Sequence, residues 1–342
     1  MIANPKPKTA IIRVLTSLHS ISRWDEWGDS KIPFIILAWF ITVYKSLISA
    51  TTLLILLKLL GFTAFFLAFG YVFNDWMDRE VDQHVGKYKQ IQDFQPWQVF
   101  LLLAGLCLGS ILSLSSWLSY PPVILIVLIC YFFAISYSGT CLRFKERGQW
   151  GLFIASLSQR TLPCLLVFVI MDFSEASAAI FLVLTLVIGL RWMITHQLDD
   201  LERDKQSQVR TYAAQKNQSF IKLYLTWMFI LELVLINLLG LIMSYSPIWW
   251  VYLAYLIFTI VLSIISRCTP WQMLQTPSSA YLVLADFYFL FWPVGWAFLL
   301  SLRSVYGLAT LVLLMFPITS HPSTLNQSQM AGLFSKKIKA NI

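Results

Sequence analysis

Asn74, Asp75, Asp78 and Asp82 fall within ten residues of one another, in the run FNDWMDREVD that begins at Phe73. On an α-helix those spacings put all four oxygen-bearing side chains on one face. Carboxylates one turn apart repel by a few tenths of a kcal/mol per pair, so such a face calls for cations. Asp200 and Asp204 repeat the device further along the chain, with His196 one turn before them. His196 suits either a proton acceptor or an ordinary helix-end histidine. Short carboxylates without a partner cysteine or clustered histidines select hard cations. Mg²⁺ in particular takes one or two carboxylates and completes its shell with substrate phosphates. Calcium fits less well, because no loop has the glycine-punctuated ligand spacing of an EF-hand. The chemistry these residues suit is the binding of a diphosphate, bridged by Mg²⁺ to both clusters. Lys87, Arg143, Lys145 and Arg147 are at hand to neutralise the rest of its charge. A single charged residue beside an apolar run is usually a solvated loop charge. Two like-charged helix faces have no structural use.

The elements that must carry these clusters are membrane helices. The 342 residues are 58% hydrophobic and 12% charged, with a mean hydropathy of +0.70, which no soluble domain matches. Apolar runs of ~20 residues, long enough to cross a hydrocarbon core of about 30 Å, recur near 32–48, 51–75, 97–118, 121–137, 152–171, 177–198, 219–244, 247–266 and 279–301. The expected fold is all-α and polytopic, with about nine transmembrane helices. A shorter run from Val305 to Pro317 suits a tenth span, a re-entrant piece or an interfacial helix. Alternating ten-residue segments that would signal a β-barrel do not occur. Ile11, Ile12, Val14, Leu15, Leu18 and Ile21 recur at helical spacing ahead of Trp24 and Trp27, which predicts an amphipathic interfacial helix. The chain thus divides into an interfacial segment (1–30), a transmembrane domain (31–302), and a short apolar segment with a polar basic tail (303–342). Met1–Lys8 is polar and precedes no short apolar core, so no signal peptide is expected.

The net charge of +8 is not a nucleic-acid signature, because it follows the topology. Arg79, Lys87 and Lys89, then Arg143, Lys145 and Arg147, then Arg203, Lys205, Arg210 and Lys216, then Arg267 follow alternate spans. They share a side with the N-terminal segment, and that side is expected to be cytoplasmic. Both aspartate clusters lie there. The five cysteines are scattered singly and imply neither zinc nor a disulfide framework. Asp78, Glu80 and Asp82 superpose on Asp200, Glu202 and Asp204, each triplet ending a long span four spans from the other. That pattern suggests duplication of a four-helix unit, with the site at the interface of the repeats. Arg160 and Arg191 lie inside expected spans, where a charge needs a polar environment, whereas Lys58 is placed to snorkel toward the opposite interface.

With those residues in view, the chain resembles the UbiA family of intramembrane prenyltransferases. Its NDxxDxxxD motif is met by Asn74, Asp75, Asp78 and Asp82, and its DxxxD motif by Asp200 and Asp204, with Thr211 beyond. Tyr137-Ser138 followed by Arg143, Lys145, Arg147 and Gly148 is similar to the YS…RxKxRG stretch of many members. The resemblance implies a Mg²⁺-dependent enzyme that ionises an isoprenoid diphosphate to an allylic cation and transfers it to a small aromatic or quinone-precursor acceptor. It implies that Asn74, Asp75, Asp78, Asp82, Asp200 and Asp204 are metal or diphosphate ligands, with Asp78, Asp82, Asp200 and Asp204 carrying the catalysis. Tyr137, Arg143 and Lys145 become contacts to the diphosphate. Two departures bear on the acceptor: Val85–Lys89 stands where many members have Arg-Pro, and Gln208 where a glycine is common. The same diphosphate site also suits a terpene cyclase or a polyprenyl-phosphate glycosyl transferase, and the intramembrane charges alone suit a transporter.

Overall fold

Ser49 opens the longest helix with a capping box: its hydroxyl accepts from the Thr52 N–H at 3.1 Å, and the Thr52 hydroxyl accepts from the Ser49 N–H at 3.0 Å. The helix, Ala50–Met77, rises about 42 Å at 1.5 Å per residue. It is long enough to cross a core of about 30 Å and carry its last turns past it. In the computed structural model, which describes residues 19–44, 46, 48–84, 86–206, 209, 211–243, 248–266, 284–285 and 287–320, this helix is α2. Around it stand α1 (Trp24–Val43), α3 (Arg79–His84), α4 (Pro96–Ser113), α5 (Pro121–Ser138), α6 (Gln149–Ile170) and α7 (Ala176–Asp199). There follow α8 (Leu201–Gln206), α9 (Tyr212–Gln215), α10 (Gln218–Ile242), α11 (Ile248–Ser266), α12 (Phe287–Ser301) and α13 (Val305–Ser320). No strand occurs among the described residues.

The architecture is the expected all-helical membrane bundle. Six helices, α2, α4, α5, α6, α7 and α10, are by themselves long and apolar enough to cross a bilayer. Ile248–Val261, Phe287–Ser301 and Val305–Met315 are shorter apolar helices, so the expected count of nine spans is not established. Helix α1 differs for a physical reason. Residues Phe34–Ile41 are all at most 1% exposed, so the helix is enclosed on every side rather than along one stripe. It begins at Trp24, earlier than the apolar run alone suggested. Trp27 is buried at 2% exposure and its indole N–H donates to the Ser22 carbonyl at 2.7 Å, so it belongs to the core and not to an interfacial surface. Of the expected interfacial helix, residues 1–18 lie outside the described residues. The outward faces of α4, α5, α10 and α11 expose Phe100, Leu101, Leu128, Leu241 and Ile264, which suits lipid contact.

Packing follows a repeat. In the first half α2 packs most extensively on α4, and in the second half α7 packs in the same way on α10. A third sign of repetition lies in the helices that open each unit. Pro33, Pro163 and Pro293 are equally spaced in the chain and sit inside α1, α6 and α12. Proline removes a ladder donor. In α6 and α12 the turn just before it, Leu157–Thr161 and Phe287–Phe291, is widened to a π turn.

Candidate active site

Each aspartate cluster sits where a long helix breaks. Helix α2 stops at Met77, and Asp78 (φ −95°, ψ 0°) still donates its N–H to the Asn74 carbonyl. The chain then turns once more as α3, with the Asp82 N–H on the Asp78 carbonyl at 2.8 Å, and the Lys87 N–H closes the turn on the Asp82 carbonyl at 2.8 Å. The second half repeats this step for step. Asp200 (φ −89°, ψ 0°) ends α7 and donates to the His196 carbonyl; Asp204 donates to the Asp200 carbonyl; Val209 donates to the Asp204 carbonyl at 2.9 Å. The expected single helical face is therefore a helix end, a break and a six-residue helix.

Cations drawn from distant parts of the chain converge on the first cluster. Asp75 is buried, and one of its oxygens, Oδ1, accepts from Arg23 Nη1 at 2.8 Å and from Lys89 Nζ at 2.5 Å. Lys89 Nζ also lies 2.8 Å from Asp82 Oδ2. That oxygen is buried, and the approach of the ammonium is not aligned as a hydrogen bond. Asp78 accepts from Lys145, with Arg143 Nη2 at 4.0 Å. Ser138 donates to the Asn74 side chain. Two of these cations are held by strained backbone: Arg23 (φ 54°, ψ 40°) and Arg143 (φ 43°, ψ 52°) are both left-handed, at a cost of order 1–3 kcal/mol each. Non-glycine residues held this way collect at functional sites. Gly148 (φ 56°) meets the same demand with the residue suited to it, and closes the loop that carries Lys145.

The described partners of the second cluster are local. Asp200 pairs with Arg203 at 3.0 Å on the exposed side and with His196 at 3.7 Å, and Asp204 Oδ2 accepts from the Thr211 hydroxyl at 2.9 Å. Burial lifts the Asp204 carboxyl above the usual carboxylate range. The Asp200 charge lifts it further, and the Thr211 hydrogen bond, His196 and Lys87 oppose the rise. Lys87 belongs to the first half, so its effect on Asp204 connects the clusters. Tyr137, at the end of α5, connects them again: it packs against the cluster of Met193, Ile194, Tyr212 and Ala213, on which Leu198 and Leu201, on either side of Asp200, also rest.

The remaining expected residues divide. Arg147 is exposed and lies over the Phe144 ring at 5.4 Å, with its guanidinium outside the described ion pairs. Arg191, deep in α7, is held by Glu232 of α10 through two hydrogen bonds, 2.6 and 2.7 Å, and Tyr288 of α12 donates to the same carboxylate at 3.1 Å. Arg160 is buried in the π turn of α6, its guanidinium over the rings of Phe34 and Trp192 at 5.9 and 5.7 Å. Neither arginine contacts a cluster aspartate among the described ion pairs. His196 is exposed at the end of α7. Lys58 donates to Ser116 and lies over the Trp117 ring, away from the site. Arg23 and Glu232 join these networks without having stood out in the sequence, whereas Ser138 was noted there beside Tyr137 without a role of its own. Of the first two, only Glu232 gave a local signal, an acidic residue inside an apolar run.

Among the described residues no group of three or more histidine, cysteine or acidic side chains is gathered to hold a metal alone. The donor set nonetheless fits a hard divalent ion that brings its own phosphate ligands. It is all oxygen, and it contains the Asp82 Oδ2 atom, buried without an aligned hydrogen-bond donor among the described residues.

A family model described as the UbiA prenyltransferase family matches residues 32–289. A search of curated proteins gives no match. Among solved structures, a UbiA homolog from Archaeoglobus fulgidus bound to GPP and Mg²⁺ superposes with a TM-score of 0.61 at 13% identity, over 86% of this chain and 99% of that one. The structure of a UbiA homolog from the same organism bound to DMAPP and Mg²⁺ superposes with a TM-score of 0.58 at 14% identity, with the same coverage. At such identities the likeness shows the fold.

Proposed function

Because the chain belongs to the UbiA prenyltransferase family, and so is an integral membrane protein of prenyltransferase type, we propose that it transfers a prenyl group from an isoprenoid diphosphate to a small aromatic or quinone-precursor acceptor, in a Mg²⁺-dependent reaction with release of pyrophosphate. One observation carries the reading: Tyr137, next to the Ser138 that donates to Asn74, packs against the cluster of Met193, Ile194, Tyr212 and Ala213 on which Leu198 and Leu201, beside Asp200, also rest, so the two aspartate clusters adjoin. The ligands of the Archaeoglobus structures, GPP or DMAPP with Mg²⁺, support it.

In this reading Asn74, Asp78, Asp82, Asp200 and Asp204 hold Mg²⁺ and through it the diphosphate. Asp75 anchors Arg23 and Lys89 behind them. Mg²⁺ bound there supplies charge stabilisation to the leaving pyrophosphate. Lys145 and Arg143, now resting on Asp78, turn to the phosphate oxygens, and Lys87, Arg147 and the Tyr137 hydroxyl complete the polar shell. The allylic cation needs an apolar, water-poor path. Phe62, Phe66, Tyr131, Phe69 and Phe73 form a continuous aromatic column on α2 and α5, with ring centroids 4.9–6.1 Å apart, that ends beside Asn74. Their faces suit cation–π contact. By the bias of Lys and Arg among the loops, the clusters and the N-terminus face the cytoplasm.

The test is a panel of DMAPP, GPP and geranylgeranyl diphosphate offered with Mg²⁺ to the purified protein in nanodiscs, with aromatic acids, quinol precursors or no acceptor, and products read by mass spectrometry. The expected result is a prenylated acceptor with pyrophosphate, both lost on chelation. A hydrocarbon formed without acceptor would overturn transfer in favour of cyclisation. Absence of pyrophosphate release from every diphosphate would overturn ionisation altogether.

A further inference from the structure

Between the start of α1 and the first aspartate cluster, five charged side chains in contact alternate in sign. Glu26 accepts from Arg23 at both carboxylate oxygens, with Arg23 Nε on Oε1 at 2.6 Å. Arg23 Nη1 donates to Asp75 Oδ1 at 2.8 Å, and Lys89 Nζ donates to the same oxygen at 2.5 Å. Lys89 Nζ then lies 2.8 Å from Asp82 Oδ2. The contacts run Glu26, Arg23, Asp75, Lys89, Asp82, from the protein surface to a carboxylate of the site. Only the outer end is open: the Glu26 side chain is 42% exposed, Arg23 17%, Asp75 4%, Lys89 14% and Asp82 13%. Charges sheltered to this degree are screened far less by salt than a surface pair, so a change at one end is felt at the other.

The middle link is shared. Arg23 and Lys89 meet on one oxygen of Asp75, so the hold of each cation weakens the hold of the other. Lys89 is also the group with which a divalent ion competes for Asp82 Oδ2, and Asp75 is the carboxylate to which the displaced ammonium stays bound. Glu26 engages two edges of the Arg23 guanidinium, which draws its charge away from Asp75 and leaves more of that carboxylate to Lys89. The left-handed backbone of Arg23 and the Tyr71 ring, 5.1 Å from its guanidinium, keep it in this shared position. We infer that Glu26 and Arg23 are positioning residues for the first cluster: acting through Asp75 and Lys89, the Glu26 carboxylate strengthens the grip of Asp82 on divalent metal and the Arg23 guanidinium weakens it. Asp82 remains a metal ligand, and Glu26 acts without touching metal or diphosphate.

This inference rests on the Mg²⁺–diphosphate reading above, and its test separates the two. Full-length protein in nanodiscs, saturated with geranyl thiolodiphosphate, which does not ionise, is titrated with Mn²⁺, and half-saturation is read from the free Mn²⁺ EPR signal. Glu26→Gln is expected to raise the half-saturating concentration about threefold and Arg23→Gln to lower it about threefold, while Arg23→Lys, which keeps the charge, stays near the unsubstituted value. Asp25→Asn removes the neighbouring carboxylate, which is 56% exposed, pairs with His19 and lies off the chain of contacts; it is expected to change nothing. In the Arg23→Gln background, Glu26→Gln is expected to have no further effect, because its route is gone. No shift in Glu26→Gln, a shift matched by Asp25→Asn, or weaker binding in Arg23→Gln would overturn the positioning role alone. Should Arg23→Gln fail to fold, Glu26→Gln against Asp25→Asn, both at exposed positions, decides by itself. Absence of analogue-dependent Mn²⁺ binding in the unsubstituted protein would overturn the metal reading and this inference with it.

Discussion

The end of α2 and the end of α7 follow one backbone course, with a break at an aspartate whose ψ is 0°, a six-residue helix and a turn closed on the last aspartate's carbonyl, yet they are dressed differently. At the first, Arg23, Lys89, Lys145 and Arg143 come from across the chain to neutralise Asp75, Asp78 and Asp82. At the second, Asp204 leans on a threonine, and Asp200 on Arg203, which is 56% exposed. An exposed pair of that kind contributes little, about 0–1 kcal/mol. The halves therefore share the backbone device that positions carboxylates and differ in the described partners gathered around it.

The largest effects should come from removing a carboxylate of either half. Asp78→Ala and Asp204→Ala are each expected to lower Mg²⁺-dependent pyrophosphate release by roughly 10³-fold, in line with the loss of a main electrostatic element of a site. Normal release after either substitution would break the comparison at its root. Next comes a control inside the second half but away from its aspartates. Glu232→Gln removes the carboxylate charge that faces the buried Arg191 guanidinium and should cost about 3–5 kcal/mol of stability, seen as a lower thermal midpoint, without shifting half-saturating Mg²⁺. Lys145→Ala, which removes a distant cation of the first half, should reduce kcat/KM for the diphosphate by about 10- to 100-fold, while Arg203→Ala changes it less than about twofold. Equal losses would erase the distinction between gathered and local cations. The smallest effect is on pH. Protons compete with metal for Asp204, whose carboxyl is already raised, so Mg²⁺ affinity should weaken on acidification; Thr211→Val, lacking the opposing hydrogen bond, should move that acid limb to higher pH.

Much of the candidate site was legible because its spacing is local. Asn74, Asp78 and Asp82, and Asp200 with Asp204, are each brought close by a turn or two of helix, which a sequence states directly. The break at Asp78 was not legible, since nothing in the residue types marks where the hydrogen-bond ladder stops. Nor could the pairing of Arg23 with Asp75 be foreseen, because it joins the start of α1 to the end of α2. Glu232 advertised itself as a charge inside an apolar run; its match to Arg191 needed the packing of α7 on α10. Hydropathy leaves the number of spans open for a related reason. A helix such as α1, enclosed by protein, and a helix facing lipid are both apolar all round, so hydropathy does not tell them apart. The equal spacing of Pro33, Pro163 and Pro293 was open to reading and would have pointed to the helices that begin each repeat.

The central claim is that both clusters hold one diphosphate, and a double-mutant cycle on binding tests it most directly. Affinity for geranyl thiolodiphosphate in the presence of Mn²⁺ would be measured for the unsubstituted protein, Asp78→Asn, Asp204→Asn and the double variant. A shared ligand predicts strong non-additivity, the double variant binding little worse than the weaker single one. Loss in the double variant equal to the product of the two single losses would mean that the clusters act independently, and would contradict the claim.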